Sequence, residues 1–254
     1  MPTTLTSLLW LVLSLGPLLL LQRWLHREVQ TIFLLLTRRS DLSITLFAVL
    51  FFPGVLLHEA SHYLAAKLLR VRTGRFSIIP RPLPGGRLQM GYVETAASDW
   101  VRDTLIGAAP LITGGLFVAY AGLARLGLLE LWQAYSAGGW EAALAMIPQI
   151  TAQSDFWIWF YLTLVVSSTM LPSASDRRAW LPLGLVILAL LGASLLAGAG
   201  PWLEQNVAPL LSTLFLSVAV VFAISAGMHL LFVLPMWILR SLLAWWLKLE
   251  VTRA

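Results

Sequence analysis

The sequence predicts an all-α polytopic membrane protein, with about six transmembrane helices and a small membrane-associated β-hairpin after the second of them. Hydrophobic residues make up 59% of the 254-residue chain and charged residues only 11%. The mean hydropathy is +0.82, far from the value of a typical soluble domain. No linker between the apolar runs is long enough to separate a second domain, so we expect residues 1–254 to form one integral membrane domain.

Each predicted span is an apolar stretch close to the ~20 residues that an α-helix needs to cross a bilayer. The spans cover residues 4–22, 43–69, 104–127, 155–173, 179–199 and 209–234. Residues 235–251 combine Trp with Arg and Lys and predict an amphipathic helix that lies along the membrane interface. Residues 130–153 contain Trp and Glu and predict an interfacial segment on the opposite side.

A β-hairpin is predicted at about residues 74–94, between the second and third spans. Phe76 and Ile78 alternate with polar residues, residues 80–86 are rich in Pro and Gly, and Leu88, Met90 and Tyr92 alternate again. An open strand edge there would bind an unwound peptide by strand addition, which makes Met90 and Tyr92 candidate substrate-binding residues. The alternative is a surface hairpin that only connects two spans.

The excess of Lys and Arg over Asp and Glu predicts how the chain is oriented in a membrane and does not indicate a nucleic-acid partner. The formal net charge is +5, but the Arg residues lie in short connections between apolar spans. The positive-inside rule then assigns residues 67–102 and the turn at 177–178 to the cytoplasm, in a multi-pass protein of the cell membrane. The first span departs from this pattern, because Arg23 and Arg27 would follow it on the outside. No Cys is present, which excludes thiolate metal ligands.

The segment His58-Glu59-Ala60-Ser61-His62 indicates a metal-dependent hydrolase. On an α-helix, positions i and i+4 share a face, so His58 and His62 can bind one metal ion while Glu59 lies beside it as a general base. Such a site hydrolyses peptide bonds with zinc. The alternative is a solvated helix face that carries these residues by chance. The uncharged run at 44–57 argues against it, because ionisable groups beside such a run are costly in lipid unless they are functional.

Asp176 is the strongest candidate for the third protein ligand of a tetrahedral zinc site. It follows the fourth predicted span, on the same side as the HEASH segment, and Pro172 would bend the chain there. Alternatively, Asp176 caps the next helix or pairs with Arg177 and Arg178. The metal site is expected within the bilayer, nearer the cytoplasmic face.

Two other histidines have structural interpretations. We take His26 as interfacial, because it lies between Arg23 and Arg27. His229 lies in the last predicted span, and we interpret it as a neutral core histidine that is hydrogen-bonded to a neighbouring helix. The alternative for His229 is a place on the substrate path.

At this point the residues resemble the site-2 proteases, a family of intramembrane zinc metalloproteases. The HEASH segment is similar to the HExxH motif of the family, and residues 107–111 (GAAPL) look like its Gly-Pro-rich motif. Residues 168–176 (STMLPSASD) resemble its Asn-x-x-Pro-x-x-x-Leu-Asp-Gly motif, with Ser168 at the Asn position. Pro172 is one residue closer to the Asp than in that motif, and Arg177 replaces its Gly.

This resemblance covers about residues 43–178 and implies a catalytic core of three helices in that range. It further implies one zinc ion per chain, with Asp176 as the third ligand, and a transmembrane protein as substrate. Pro110 and Ser168 become candidate substrate-binding residues through the same motifs. The expected function is therefore a zinc metalloendopeptidase that cleaves other membrane proteins within the lipid bilayer.

Two other functions fit parts of the pattern. A non-catalytic pseudoprotease or scaffold would keep the fold and bind clients, but it has no use for the Glu59 carboxylate. An ion-coupled transporter would also place His, Glu and Asp within the membrane. Its usual internal repeat is not evident, since the second half of the chain has no counterpart of HEASH.

Overall fold

The computed structural model describes residues 3–82, 88–89 and 91–248, which form a helix bundle with a small β region. The helices in this part of the chain are α1 (Thr4–Thr37), α2 (Ser40–Leu68), α3 (Trp100–Ala124), α4 (Leu128–Thr151), α5 (Phe156–Ser167), α6 (Trp180–Leu196), α7 (Gly200–Asn206) and α8 (Ala208–Leu247). The strands are β1 (Thr73–Ser77), β2 (Arg81–Pro82), β3 (Leu88–Gln89) and β4 (Tyr92–Thr95).

Four of the described helices, α1, α2, α3 and α8, are long and apolar enough to cross a membrane, judged by length and composition. The membrane class is therefore supported, but the predicted number of six spans is wrong. Helices α5 and α6 have only 12 and 17 residues. Helix α5 ends early because the chain turns at Ser168, and α6 is followed by Gly198 at φ +80°, a conformation that ends helices.

Helices α1 and α8 are longer than the sequence predicted, and they pack side by side in parallel. Near their starts, Ser7 Oγ and Ser212 Oγ are 2.8 Å apart; near their ends, Arg240 Nε lies 2.5 Å from Glu28 Oε2. Helix α1 therefore does not end at residue 22. Helix α8 also continues through Pro235 to Leu247, so the start of the segment predicted as an interfacial helix at 235–251 is continuous with the last span, and residues 249–251 lie outside the described residues. Pairing with Glu28 keeps the charge of Arg240 inside the helix pair.

The segment predicted to be interfacial at residues 130–153 is largely helical and belongs to α4. The φ and ψ angles of Gly138 and Gly139 are not helical, so α4 is bent near its middle. Trp132 and Trp140 are exposed on either side of this bend, which agrees with the tendency of Trp to lie at membrane interfaces.

Helices α2, α3 and α5 approach one another closely at glycines. A Cβ atom on Gly54 of α2 would overlap the Val165 carbonyl oxygen of α5. A Cβ on Gly114 of α3 would lie 2.5 Å from Cβ of Met170. Small residues at such contacts let membrane helices pack with their backbones close together. These three helices lie within residues 40–167, which overlaps most of the range of about 43–178 predicted for the catalytic core.

The predicted hairpin is confirmed in its main features. Strands β1 and β4 are antiparallel, with Phe76 opposite Val93 and Ser77 opposite Tyr92, and β2 pairs with β3. An irregularity in the register separates Thr73 from Phe76. The β region thus connects the end of α2 to the start of α3.

The ion pair between Arg240 and Glu28 provides the first testable prediction. The Glu28 side chain is only 9% exposed, so Arg240→Ala leaves a buried carboxylate without its cation. We expect the free energy of unfolding to fall by about 3 kcal/mol. Reversible unfolding in detergent micelles measures this change.

Arg39→Ala is the matched control for this prediction, because it removes an Arg from the ion pair with Asp41, whose side chains are 64% and 62% exposed. Exposed pairs contribute ~0–1 kcal/mol, so the control should unfold almost as the wild type does. If Arg240→Ala and Arg39→Ala lowered the free energy of unfolding equally, the claim that the buried ion pair contributes more than the exposed one would be contradicted.

Candidate metal centre

The two histidines of the HEASH segment lie one turn apart on α2 and direct the same ring nitrogen toward a common point. His58 Nε2 and His62 Nε2 are 3.2 Å apart. No Pro or Gly lies between them, so the regular helix places them on one face, as the i and i+4 spacing predicted. Both side chains are largely buried between helices, with exposures of 14% and 9%.

Backbone carbonyls on neighbouring helices orient both rings. His58 Nδ1 lies 2.6 Å from the Thr169 carbonyl oxygen, and His62 Nδ1 lies 2.8 Å from the Ile106 carbonyl oxygen. A carbonyl oxygen only accepts, so each Nδ1 carries a proton and donates it. In the neutral rings, each Nε2 therefore keeps its lone pair for a metal ion, an arrangement common among histidine ligands of metals.

Each of these two carbonyls lacks its usual helical partner. Ile106 would accept from the residue four positions later, but that residue is Pro110, which has no N–H. Thr169 would accept from Ser173, but the chain has left α5, and the Ser173 N–H donates to Asp176 Oδ2 at 2.7 Å. Local breaks in helical hydrogen bonding thus make both carbonyls available to the histidines.

Asp176 joins the two histidines, as the sequence predicted. Its carboxylate oxygens lie 3.7 Å from His58 Nε2 and 3.4 Å from His62 Nε2. The three potential ligand atoms lie within 4.8 Å of one another, and this is a possible metal-binding triad. The turn after α5 brings Asp176 back beside α2, and the close approach of Gly107 to the Asp176 carbonyl oxygen fixes that turn against α3.

The electrostatics of the triad favour a bound cation. Burial raises the pKa of the Asp176 carboxyl, but the Ser173 N–H, which donates to Asp176 Oδ2 at 2.7 Å, favours the ionised form. An ionised carboxylate and two imidazole lone pairs therefore face one point. This set of nitrogen and oxygen donors fits a divalent metal such as zinc.

Glu59 lies beside the triad and is shielded from bulk solvent. It is 7% exposed, and a Cβ atom on Gly91 would lie 2.7 Å from its Cγ and 2.9 Å from its Oε1. Gly91 immediately precedes β4, so the β region lies against this carboxylate. Only a residue without a side chain allows so close an approach of the backbone.

The triad and Glu59 line a cavity of about 1160 Å³. The cavity also contacts Gly91, Tyr92 and Val93 of the β region. Toward the start of α2, it is lined by Gln30 and Phe47. His26 also lines it and packs edge-on against Phe47 and Phe51, at 5.3 and 4.9 Å between ring centroids. This cavity has room for water molecules beside the triad, which hydrolysis at a site among membrane helices would require.

The remaining candidate substrate-binding residues have different surroundings. Tyr92 lines the cavity, and Met90 lies outside the described residues. Pro110 is fully buried in α3. Ser168 is 2% exposed, and its hydroxyl lies 2.9 Å from His229 Nε2. For these four residues, substrate binding stays a prediction.

Sequence reasoning did not identify Gln22, Thr169 and Ile106 as part of the site. A backbone carbonyl gives no signal in the residue type, so Thr169 was not predictable. Pro110 does provide a signal for Ile106, because a proline inside a helix always frees the carbonyl four residues earlier. Gln22 donates its amide N–H to the Ser168 carbonyl at 2.6 Å. Its signal in the sequence is that it is a polar residue within an apolar helix.

The contact between Gly107 and Asp176 provides a second prediction. In Gly107→Ala, the new Cβ overlaps the Asp176 carbonyl oxygen and displaces Asp176, the candidate third ligand. We expect zinc affinity to fall at least about 10-fold, as for other changes next to metal ligands. Titration against a zinc chelator of known affinity measures the change.

Gly115→Ala on the same helix is the control, because its Cβ would meet only Val221 Cγ1, at 3.8 Å. Its zinc affinity should equal that of the wild type. If both variants lost zinc affinity equally, the cause would be a disturbance of helix α3 as a whole and not the contact with Asp176.

The structure thus brings together a His-His-Asp triad, a buried carboxylate and a strand beside one cavity. Comparisons of the chain with models of protein families, with curated proteins and with solved structures find no match.

Proposed function

We propose that this protein is an intramembrane zinc endopeptidase that hydrolyses peptide bonds in or near the transmembrane segments of other membrane proteins. The resemblance of its motifs to site-2 proteases agrees with this proposal. The observation that carries it is the convergence of His58 Nε2, His62 Nε2 and the Asp176 carboxylate, with Glu59 next to them on the same helix. Two lone pairs and a negative charge at one point are complementary to a metal cation.

His58, His62 and Asp176 would hold the zinc ion, and no Cys competes with them. When bound, zinc supplies Lewis-acid chemistry, polarising the scissile carbonyl and lowering the pKa of the attacking water. Three protein ligands leave a coordination position for reactants, as catalytic zinc sites require.

Glu59 moves the proton in the proposed reaction. Its carboxylate accepts a proton from the attacking water as the new C–O bond forms, and it delivers that proton to the leaving amine as the C–N bond breaks. The backbone at Gly91 covers one side of Glu59 and limits its access to bulk water.

The β region is suited to hold the substrate in extended form. Residues 91–93 line the cavity next to Glu59. A helical substrate must unwind before a protease can cleave it, and strand addition is a common way for proteins to bind extended peptides. We propose that the unwound segment lies along these residues, which places its backbone near the triad.

The membrane setting determines the class of substrate. The two histidines of the triad lie on α2, which packs against α3 and α5 and is long and apolar enough to span a bilayer. A substrate would therefore enter from the lipid bilayer as a transmembrane segment, and no nucleic acid is involved. We further propose a place in the cell membrane, with the site nearer the cytoplasm, from the distribution of Lys and Arg.

Purified protein in proteoliposomes with a panel of single-span membrane proteins tests this function. The wild type should generate new peptide termini within or beside the spans of one or more panel members, as detected by terminal-peptide mass spectrometry. Addition of 1,10-phenanthroline should stop cleavage, and excess zinc should restore it. Cleavage that persists without metal would contradict the proposal.

A further inference from the structure

A buried polar network joins three helices directly beside the metal centre. Ser168 at the end of α5, His229 of α8 and Gln22 of α1 are its members. His229 is 0% exposed and Ser168 is 2% exposed. Polar groups buried among membrane helices are costly unless they are hydrogen-bonded, so such a network has a structural or functional purpose.

The direction of each hydrogen bond in the network follows from its partners. His229 Nδ1 lies 2.7 Å from the Ser225 carbonyl oxygen, so Nδ1 carries the proton and donates it. In the neutral ring, Nε2 then accepts, and the Ser168 hydroxyl is the donor at 2.9 Å. His229 is thus hydrogen-bonded to a residue at the end of a neighbouring helix, as predicted from the sequence.

Ser168 is fixed on three sides. Its N–H donates to the Leu164 carbonyl at 3.0 Å, its carbonyl accepts from Gln22 at 2.6 Å, and its hydroxyl donates to His229. The next residue is Thr169, whose carbonyl accepts the Nδ1 proton of His58 at 2.6 Å. Ser168 is therefore held by three hydrogen bonds and directly precedes the residue whose carbonyl orients His58.

The two histidine ligands differ in how their carbonyl acceptors are held. Ile106 lies inside helix α3, where the regular backbone fixes its position. Thr169 lies beyond the end of α5, in a turn. The N–H and the hydroxyl of Thr169 donate to the carbonyls of Val166 and Val165, both at 3.0 Å, and the network adds support on the side of Ser168.

We propose that Ser168 and His229 are positioning residues, which hold the Thr169 carbonyl so that His58 Nε2 points at the metal. This inference rests on the metal centre of the proposed function. In this role, Ser168 acts through the backbone of Thr169. Outer partners of this kind typically change metal affinity about 10- to 100-fold when they are replaced.

Zinc affinity of the full-length protein in detergent, measured by competition with a chromophoric zinc chelator, tests the proposal. We expect Ser168→Ala and His229→Leu each to weaken zinc binding about 10-fold or more. His229→Gln should restore most of the affinity, because its side-chain oxygen can accept from Ser168. The visible spectrum of the cobalt-substituted protein should change in the two weakened variants and resemble the wild type in His229→Gln.

Ser7→Ala is the matched control, because it removes another buried hydrogen bond, that between Ser7 of α1 and Ser212 of α8, at 2.8 Å. It should leave zinc affinity and the cobalt spectrum unchanged. Wild-type affinity in both Ser168→Ala and His229→Leu, or an equal loss in Ser7→Ala, would overturn the positioning role.

The outcomes also separate this inference from the proposed function. A wild-type protein that binds no zinc would overturn the metal centre and the positioning role together. A protein that shows the expected losses of affinity but cleaves no panel member would support the positioning role while contradicting the peptidase. The readout is metal binding, so it does not require a known substrate.

Discussion

Glu59→Gln is expected to abolish peptide cleavage while the protein keeps its zinc. Gln has nearly the shape of Glu but cannot accept the proton of the attacking water, and loss of a general base typically lowers rates by about 10²- to 10⁴-fold. The three metal ligands are unchanged in this variant. Cleavage of a panel substrate and zinc content, measured on the same preparation, check both parts of the expectation.

Glu130→Gln is a suitable control for this experiment, because Glu130 is an exposed carboxylate on α4, away from the cavity-lining residues. It should cleave at the wild-type rate. Retained activity in Glu59→Gln would contradict the mechanism, even if the zinc site itself is confirmed.

Asp176→Asn is expected to weaken zinc binding more than any replacement outside the triad. The amide keeps the size of the carboxylate but loses the negative charge that attracts a cation to the triad. We expect zinc affinity to fall by more than about 100-fold, beyond the range of outer partners. Cleavage should be lost in parallel unless excess zinc is supplied.

Asp155→Asn is the control for the loss of a carboxylate, because Asp155 lies at the start of α5, at the end opposite to the turn that carries Asp176. Asp155 lies 3.6 Å from Arg125, in an ion pair whose side chains are 42% and 44% exposed. Its replacement should leave zinc binding unchanged. If Asp176→Asn binds zinc as the wild type does, the third ligand is another group, and the triad is not the metal site.

The features that depend on local sequence were well predicted. The HEASH spacing placed two imidazoles on one face of α2, and the alternation around Phe76 and Tyr92 identified the β region. Asp176 was also predicted to lie near the histidines, although only the turn after α5 explains how. These patterns involve few residues and regular geometry, so they are visible without the fold.

The features that depend on packing were not predicted. Helix α1 continues beyond residue 22, and α8 continues through Pro235, because the two helices pack along their lengths and pair Glu28 with Arg240. Hydropathy detects neither the partner of a helix nor the pairing of a charge. For the same reason, the apolar stretches at 155–173 and 179–199 were predicted to be spans, although the helices that they form, α5 and α6, are short.

Within the site, side chains were more predictable than the groups that orient them. The triad and Glu59 are unusual residues in an apolar chain, so they stand out in the sequence. The carbonyls of Thr169 and Ile106 do not, because every residue has one. His229 was visible as a buried titratable group, but its place beside Ser168 follows only from the packing of α8 on α5.

The most direct test of the central claim is the metal content of the detergent-purified protein, determined by mass spectrometry for the wild type, His58→Ala and Asp176→Ala. The triad predicts about one zinc per wild-type chain and loss of that zinc in both variants. No zinc in the wild type after purification without chelators, or the same zinc content in all three proteins, would contradict a His-His-Asp zinc site.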